Sequence, residues 1–277
     1  MKKKAVDISL VIRTIMAYFV TFCFMAPFLY MILCSFKTPL DLHAWPPRLF
    51  FTPTLQNYTR VFAEVRLMPY IVNSLIISVT VTSIALLLGV PAAYAVSRYK
   101  FRGRPLLANL FLVIQLAPAV AMILPFFVLA NHFHLFNTRT ALILVYLPWN
   151  IPLAVWMLRG FIATTPAAIE ESGMIDGCTR FRAFLLLTVP QLTAGLMATL
   201  IFTFIGSWNE FLLAYFLTIN IDAKTLPTTV DFFLTFGHYQ FGPMFAAAVI
   251  GTLPVIFFAL LVRKYYLTAL TGGAVKG

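Results

Sequence analysis

The chain is poor in charge and poorer still in acid. Of its 277 residues 10% are charged, and only nine are Asp or Glu against twenty Lys or Arg. Soluble domains carry about 25% charged and about 45–50% apolar residues, whereas this chain is 61% hydrophobic with a mean hydropathy of +0.91. A soluble globular fold is thereby excluded. Cysteine is scarce too: Cys23, Cys34 and Cys178 are too few and too scattered for a disulfide framework or a zinc site. Cys34 follows Met31-Ile32-Leu33 without the small residues that precede a lipidated cysteine. All four histidines (His43, His132, His134, His238) fall in segments expected outside the membrane, and His132 and His134 have no third carboxylate nearby to complete a metal site. No G-x-x-x-x-G-K-[ST] phosphate loop occurs. Gly272 to Gly277 contains glycines and Lys276, but no hydroxyl follows the lysine and neither a strand nor a helix flanks it as required. No cofactor is expected in this chain, and no internal repeat or low-complexity tract is visible.

What the chain does have is apolar length. A membrane span takes roughly 20 mainly apolar residues, and six runs qualify: Thr14–Ser35, Tyr70–Ser97, Leu106–Ala130, Thr140–Phe161, Gln191–Thr218 and Met244–Tyr265. An all-α, polytopic helical bundle follows. Met1-Lys2-Lys3-Lys4 ahead of the first run imitates a signal peptide, but the run exceeds a signal h-region and shows no small-residue cleavage site, so a retained first span is expected. Prolines sit inside the runs (Pro27, Pro91, Pro118, Pro125, Pro148, Pro152, Pro254). Neighbouring helices can satisfy the carbonyls these prolines free, leaving kinked spans with room between them.

The net charge of +11 would suggest nucleic acid in a soluble chain; in a membrane chain it records topology instead. Fourteen Lys or Arg fall on one side, at the N-terminus, between the second and third runs, between the fourth and fifth, and at the C-terminus, against six on the other. Both termini are therefore expected in the cytoplasm, and an even number of spans agrees. The expected organisation is a first span and outer loop over 1–69, a five-span core over 70–266 containing a cytoplasmic hairpin at 164–190, and a tail over 267–277. The outer loop from Phe36 to Pro69, with Pro39, Pro46, Pro47 and Pro53, is long enough to suggest either a role or a cap over the bundle.

The hairpin is the longest polar stretch expected on the inner side. Thr164-Thr165-Pro166 reads as a threonine cap with proline at the first helical position, followed by a short helix through Glu170, Glu171 and Ser172. Acids in a first turn suit the helix dipole. Asp176-Gly177 signals a turn in which glycine supplies positive φ. Phe181, Phe184, Leu185 and Thr188 then recur on one face of a second helix, closed by Pro190. Local chemistry alone leaves two readings open, a solvated connector or a contact surface.

The spacing Glu171-Ser172-Gly173, three residues, Gly177, nine residues, Leu187-Thr188-Val189-Pro190 resembles the EAA loop of permease subunits of ATP-binding-cassette importers. Tyr94 to Gly103 is similar to the A-A-Y-A-x-S-R-x-x-F-x-G segment of carbohydrate importers, Ser207 to Phe211 to their S-W-N-E-F, and Leu270 to Gly277 to their closing L-T-x-G-A-V-K-G. The resemblance covers nearly the whole chain and is to the second permease of maltose-type systems. It implies a type I importer permease fold in a bacterial or archaeal cytoplasmic membrane. It also implies a second permease, two ATPase subunits that bind ATP and Mg, an extracytoplasmic solute-binding protein, and a carbohydrate or polyol as substrate. The coupling residues it implies are Glu170, Glu171, Ser172, Gly173, Asp176, Gly177, Phe181 and Pro190, with both glutamates meeting basic groups of the ATPase. Ser172-Gly173 in place of two alanines departs from the pattern, since glycine costs a helix up to about 1 kcal/mol relative to alanine.

Polar groups inside spans are costly and therefore suspect. Asn73, Gln115, Asn150, Asn209 and Glu210 are candidates for the translocation path, with Trp149, Trp156 and Trp208 able to stack on a sugar face. The same residues also suit helix–helix hydrogen bonds or an interfacial aromatic belt. An ion-coupled secondary carrier is the alternative, but it would want paired intramembrane charges, and only Glu210 qualifies. A membrane-embedded enzyme would want a nucleophile beside a histidine at membrane depth, and every histidine falls in a loop.

Overall fold

The computed structural model describes residues 8–235 and 238–274; Lys2, Lys3 and Lys4 of the basic N-terminus and Val275 to Gly277 of the tail lie outside them. The chain divides into two compact units, one of residues 1–67 and 230–252, the other of 68–229 and 253–277.

In the first unit, α1 (Ile8–Ser35) is apolar enough to cross a membrane, and none of its apolar window is buried. The expected outer loop contains α2 (Pro39–Leu42) and α3 (Gln56–Ala63). Thr38 caps α2 by accepting from the Asp41 N–H, its hydroxyl donates to Asp41 Oδ2 at 2.7 Å, and Arg48 pairs with the same carboxylate at 3.2 Å. Buried Asn57 of α3 donates to the Ser35 and Lys37 carbonyls at 2.9 and 2.8 Å, so one amide closes the turn that ends α1.

The second unit begins with α4 (Leu67–Arg98), a 32-residue apolar helix. Next come α5 (Arg104–Gln115), α6 (Ala119–His132) and α7 (Arg139–Thr164). A polar hairpin follows, consisting of α8 (Ala168–Ile175), α9 (Arg180–Ala183), a π-helical turn over Phe184–Thr188 and α10 (Val189–Gln191). The unit continues through α11 (Thr193–Trp208), α12 (Leu212–Leu217) and a 3-10 turn at Leu226–Thr229. Short α13 (Val230–Phe233) and a two-residue antiparallel pair, β1 (Leu234–Thr235) with β2 (His238–Tyr239), belong to the first unit. In α14 (Phe241–Ala274), residues to Thr252 group with the first unit and those from Leu253 with the second.

Among the described residues four helices are long and apolar enough to span a membrane singly, and up to six spans result if each of two bent pairs counts as one. Two of the six expected spans correspond to bent pairs. The third run breaks after Gln115, and its halves meet at 95°. Pro118 lacks an N–H and disfavours helical backbone in the residue before it. The fifth run ends at Trp208, because Asn209 to Phe211 interrupt the helix, and its bent pair is instead Arg180–Gln191 with Thr193–Trp208, at 75°.

Two apolar clusters fill the second unit. Ile77 and Val81 of α4 pack with Leu142, Val145 and Tyr146 of α7 and with Leu213, Ala214 and Leu217 of α12. Near the hairpin, Ala93 and Tyr94 pack with Val155, Leu158, Ile162, Phe184 and Leu192. Lipid supplies little hydrophobic drive between helices, so close backbone approach at small residues matters more. At Gly89 a Cβ would stand 2.8 Å from Ala154 Cβ, so α4 meets α7 nearly backbone to backbone.

Candidate functional site

The hairpin is fastened to α4 by one carboxylate. Glu170 is buried; Tyr94 Oη donates to its Oε2 at 2.7 Å and Arg98 Nε to its Oε1 at 3.0 Å. A second Arg98 nitrogen donates to the Thr165 carbonyl at 2.7 Å, just where α7 gives way to the hairpin. Both oxygens of the buried acid are thus satisfied, the condition under which a buried charge is tolerated. The Tyr94 ring stacks obliquely on Phe184 with centroids 4.4 Å apart and meets Tyr99 edge-on at 5.9 Å, so the second arm leans on the same anchor.

Where the resemblance implies that Glu170 meets the ATPase, the structure gives its carboxylate partners within this chain, Tyr94 and Arg98. Glu171, one residue on, is exposed. Consecutive helical positions lie about 100° apart, so neighbouring acids point to different sides.

The first arm is helical through Ser172-Gly173, in spite of the two departures from alanine. Gly173 is buried, and a Cβ there would run into Leu187 Cδ1 of the second arm and lie 3.8 Å from Ala183 Cβ. The absent Cβ lets Leu187 of the second arm close on the first arm here. The turn reads as the sequence indicated: Gly177 has φ +88°, the Cys178 N–H bonds to the Gly173 carbonyl at 2.9 Å, and the Gly177 N–H bonds to that of Met174 at 3.2 Å. This is a Schellman closure with glycine in its left-handed position.

The start of α8 differs from the expected threonine cap. Thr164 and Thr165 turn their hydroxyls back to the Phe161 carbonyl, and the helix begins at Ala168 without a side-chain cap. The second arm differs as well. Thr179 caps α9, and the helix then widens into a π turn in which the Val189 N–H reaches the Phe184 carbonyl. Pro190, which has no N–H to give, follows at once. The extra residue per turn rotates the buried face, so Phe184 and Thr188 are inside while Phe181 and Leu185 face out. The outer surface therefore carries Glu171, Asp176, Arg180 and Arg182 around Ile175 and Phe181, which are 86% and 68% exposed. The Arg180 guanidinium lies 5.4 Å from the Tyr99 ring centre.

The expected path residues are occupied in several ways. Asn73 is buried and donates to the carbonyls of Ile221 and Lys224, both at 2.8 Å. Gln115 donates to the Trp149 carbonyl at 2.6 Å, while Trp149 Nε1 donates to Ala117 at 3.3 Å, so these two residues clasp the break between α5 and α6. Asn150 bonds back to Tyr146 within α7. Glu210 caps α12, its oxygens accepting from the Leu213 and Ala214 N–H groups at 2.9 and 3.1 Å. Asn209 is exposed at the same break, Trp156 is exposed and Trp208 is buried. Gln115 and Trp149 are thus brought together at one break, while Asn73, Asn150 and Glu210 bond at other junctions.

Sequence reasoning passed over a second cluster. Ser74 Oγ accepts from the Leu226 N–H at 2.7 Å, and Asn137 Oδ1 accepts from Ile219 and Asn220 at 2.7 and 2.9 Å. Arg139 donates to the Asp222 carbonyl at 3.0 Å. With Asn73, four side chains thus hold the backbone of 219–226. The one local signal was Asn137 between two helical runs, for asparagine tolerates the left-handed backbone it adopts, φ 58°.

Comparison with known proteins fits this geometry. Residues 85–270, which include the hairpin, match the model of the family described as "Binding-protein-dependent transport system inner membrane component". The trehalose/maltose transport system permease protein MalG of Thermococcus litoralis is 34% identical over 255 residues, covering 91% of each chain. The trehalose transport system permease protein SugB of Mycobacterium tuberculosis is 36% identical over 230 residues, covering 82% of this chain and 83% of its own. A chain in the crystal structure of a bacterial ABC transporter involved in the import of the acidic polysaccharide alginate shares the fold, with a TM-score of 0.76 at 18% identity over 96% of this chain and 99% of that one. The chain belongs to the family of inner-membrane components of binding-protein-dependent transport systems, permease subunits of ABC importers rather than enzymes.

Proposed function

We propose that this permease carries a carbohydrate or related polyol across the cytoplasmic membrane by alternating access, driven by separate ATPase subunits that dock on the 164–190 hairpin. The observation that carries the docking is the division of the hairpin: Glu170 is used up inside, while Glu171, Ile175 and Phe181 stand outside on a turn fixed by Gly177. An apolar patch rimmed by charge on a rigid support suits a protein partner. ATP and Mg belong to that partner. The basic-residue bias supports placing the hairpin and both termini on the cytoplasmic side. The trehalose/maltose and trehalose permeases among the relatives support a sugar as solute. A second permease and an extracytoplasmic binding protein complete the assembly.

Extraction in mild detergent tests the reading. The permease should co-purify with an ATPase and a second, similar permease, and reconstituted uptake should require ATP and the binding protein. A lone homodimer that accumulates solute on an ion gradient would support the secondary carrier instead.

A further inference from the structure

We infer that α4 is the transmission element of this permease, a rod whose one end holds the docking hairpin and whose other end holds the 219–226 loop. The inference rests on the reading of the hairpin as the ATPase contact. At one end Tyr94 and Arg98 bind the two oxygens of Glu170. At the other, Asn73 bonds the Ile221 and Lys224 carbonyls and Ser74 takes the Leu226 N–H. Asn73 and Tyr94 are twenty-one positions apart, which at about 1.5 Å per residue is roughly 31 Å, close to the hydrocarbon thickness of a bilayer, about 30 Å. The two sets of bonds therefore lie at opposite ends of one span. Both join α4 to segments remote in sequence, and each includes a buried bond, Tyr94 to Glu170 at one end and the Leu226 N–H to Ser74 at the other, where hydrogen bonds are electrostatically stronger than in water.

Between these ends α4 runs as one helix through Pro91 without a break, and its close contact with α7 at Gly89, two residues before that proline, and Ala154 gives it a bearing surface. Rigid helices and hydrogen-bond networks are the physical carriers of coupling over such distances. The loop at the far end is held through its backbone, by Asn73 and Ser74 of α4 and by Asn137 and Arg139 at the start of α7. The side chains of Ile219, Asn220 and Asp222 are left exposed. The loop therefore keeps one shape while its outward side chains face solvent. Displacing the hairpin along the axis of α4 moves the loop through Asn73 and Ser74. Glu170 and Tyr94 are positioning residues in this account; neither touches solute or nucleotide.

The test uses the assembled transporter in liposomes: this permease with its co-purified second permease and ATPase, plus the binding protein. With Cys23, Cys34 and Cys178 replaced by serine, Ile219→Cys reports on the loop through its labelling rate with a membrane-impermeant maleimide. Nucleotide binding should change that rate about fivefold or more, the lower end of typical coupling. Tyr94→Phe keeps the ring against Phe184 and removes only the hydroxyl; Asn73→Ala cuts the opposite end. Each should abolish most of the change and raise the ATP hydrolysed per solute moved, while the ATPase still co-purifies. The double variant should be no worse than the more severe single one, because both cut the same rod.

Full nucleotide response and unchanged stoichiometry in Tyr94→Phe would overturn the inference, as would additive losses in the double variant. An unaltered complex that binds ATPase yet shows no response at Ile219→Cys would overturn it and leave the docking role standing. Failure of the unaltered permease to bind any ATPase would overturn both.

Discussion

The two faces of the hairpin are built on opposite terms. Its inner face is crowded and fully paired: Glu170 between Tyr94 and Arg98, Gly173 beneath Leu187, Phe184 under Tyr94. Its outer face leaves Glu171, Ile175 and Phe181 uncovered. The difference separates holding from docking. A surface that is to receive force must be exposed, and the force goes nowhere unless the reverse side is anchored. In the proposed docking the two adjacent glutamates would serve the two needs, because a helix sends consecutive residues to different sides.

Substitutions on the inner face should disturb the fold most. Glu170→Ala leaves the Arg98 guanidinium mostly buried without its carboxylate, at a cost of about 3–5 kcal/mol to local stability. Hydrogen exchange over 168–175 should rise sharply, and the hairpin should become protease-sensitive. Gly173→Leu puts a branched side chain where Leu187 already lies, and overpacking of this kind costs about 1–3 kcal/mol. The same exchange measurement should show the arms parting, with less change in α4. Gly177→Ala asks an L-residue to take the left-handed backbone and should cost about 1–2 kcal/mol, visible as a lower melting temperature of the detergent-solubilised protein. At the small end, Glu64→Gln removes an exposed pair with Arg60, 3.1 Å apart at the C-terminal end of α3, and should leave melting and uptake unchanged, since such pairs contribute little.

Much of the outer face was legible in the sequence because it depends on neighbours in the chain. Asp176-Gly177 announced the turn, and the positive φ of Gly177 is a local demand that local residues reveal. The spacing from Glu171 to Pro190 marked the segment as a whole. The inner face depends on residues far away. Arg98 is 72 positions from Glu170 and Tyr94 is 76, so nothing near Glu170 distinguishes it from Glu171. The Ser172-Gly173 departure read as a loosening of the helix, whereas contact with Leu187 makes the small residue a means of tightening it. The apolar face of the second arm was misphased at Phe181 and Leu185 because a period of 3.6 does not hold through a π turn.

The spans repeat the lesson. Six apolar runs were counted from length alone, and two are bent, at Pro118 and ahead of Thr193, where composition records apolarity but not direction. Asn73 and Glu210 stood out as costly polar groups in apolar surroundings, and each bonds backbone: the Asn73 amide nitrogen holds a loop about 150 residues downstream, and Glu210 caps the helix that follows it.

The most direct measurement compares the two adjacent glutamates in the assembled transporter. ATPase recovered per permease on mild-detergent purification should collapse for Glu171→Lys, with hydrogen exchange of 168–175 unaltered. Glu170→Gln should retain the ATPase while loosening that same helix. Normal recovery of ATPase with Glu171→Lys, in a hairpin shown to be folded, would contradict the assignment of the outer face as the docking surface.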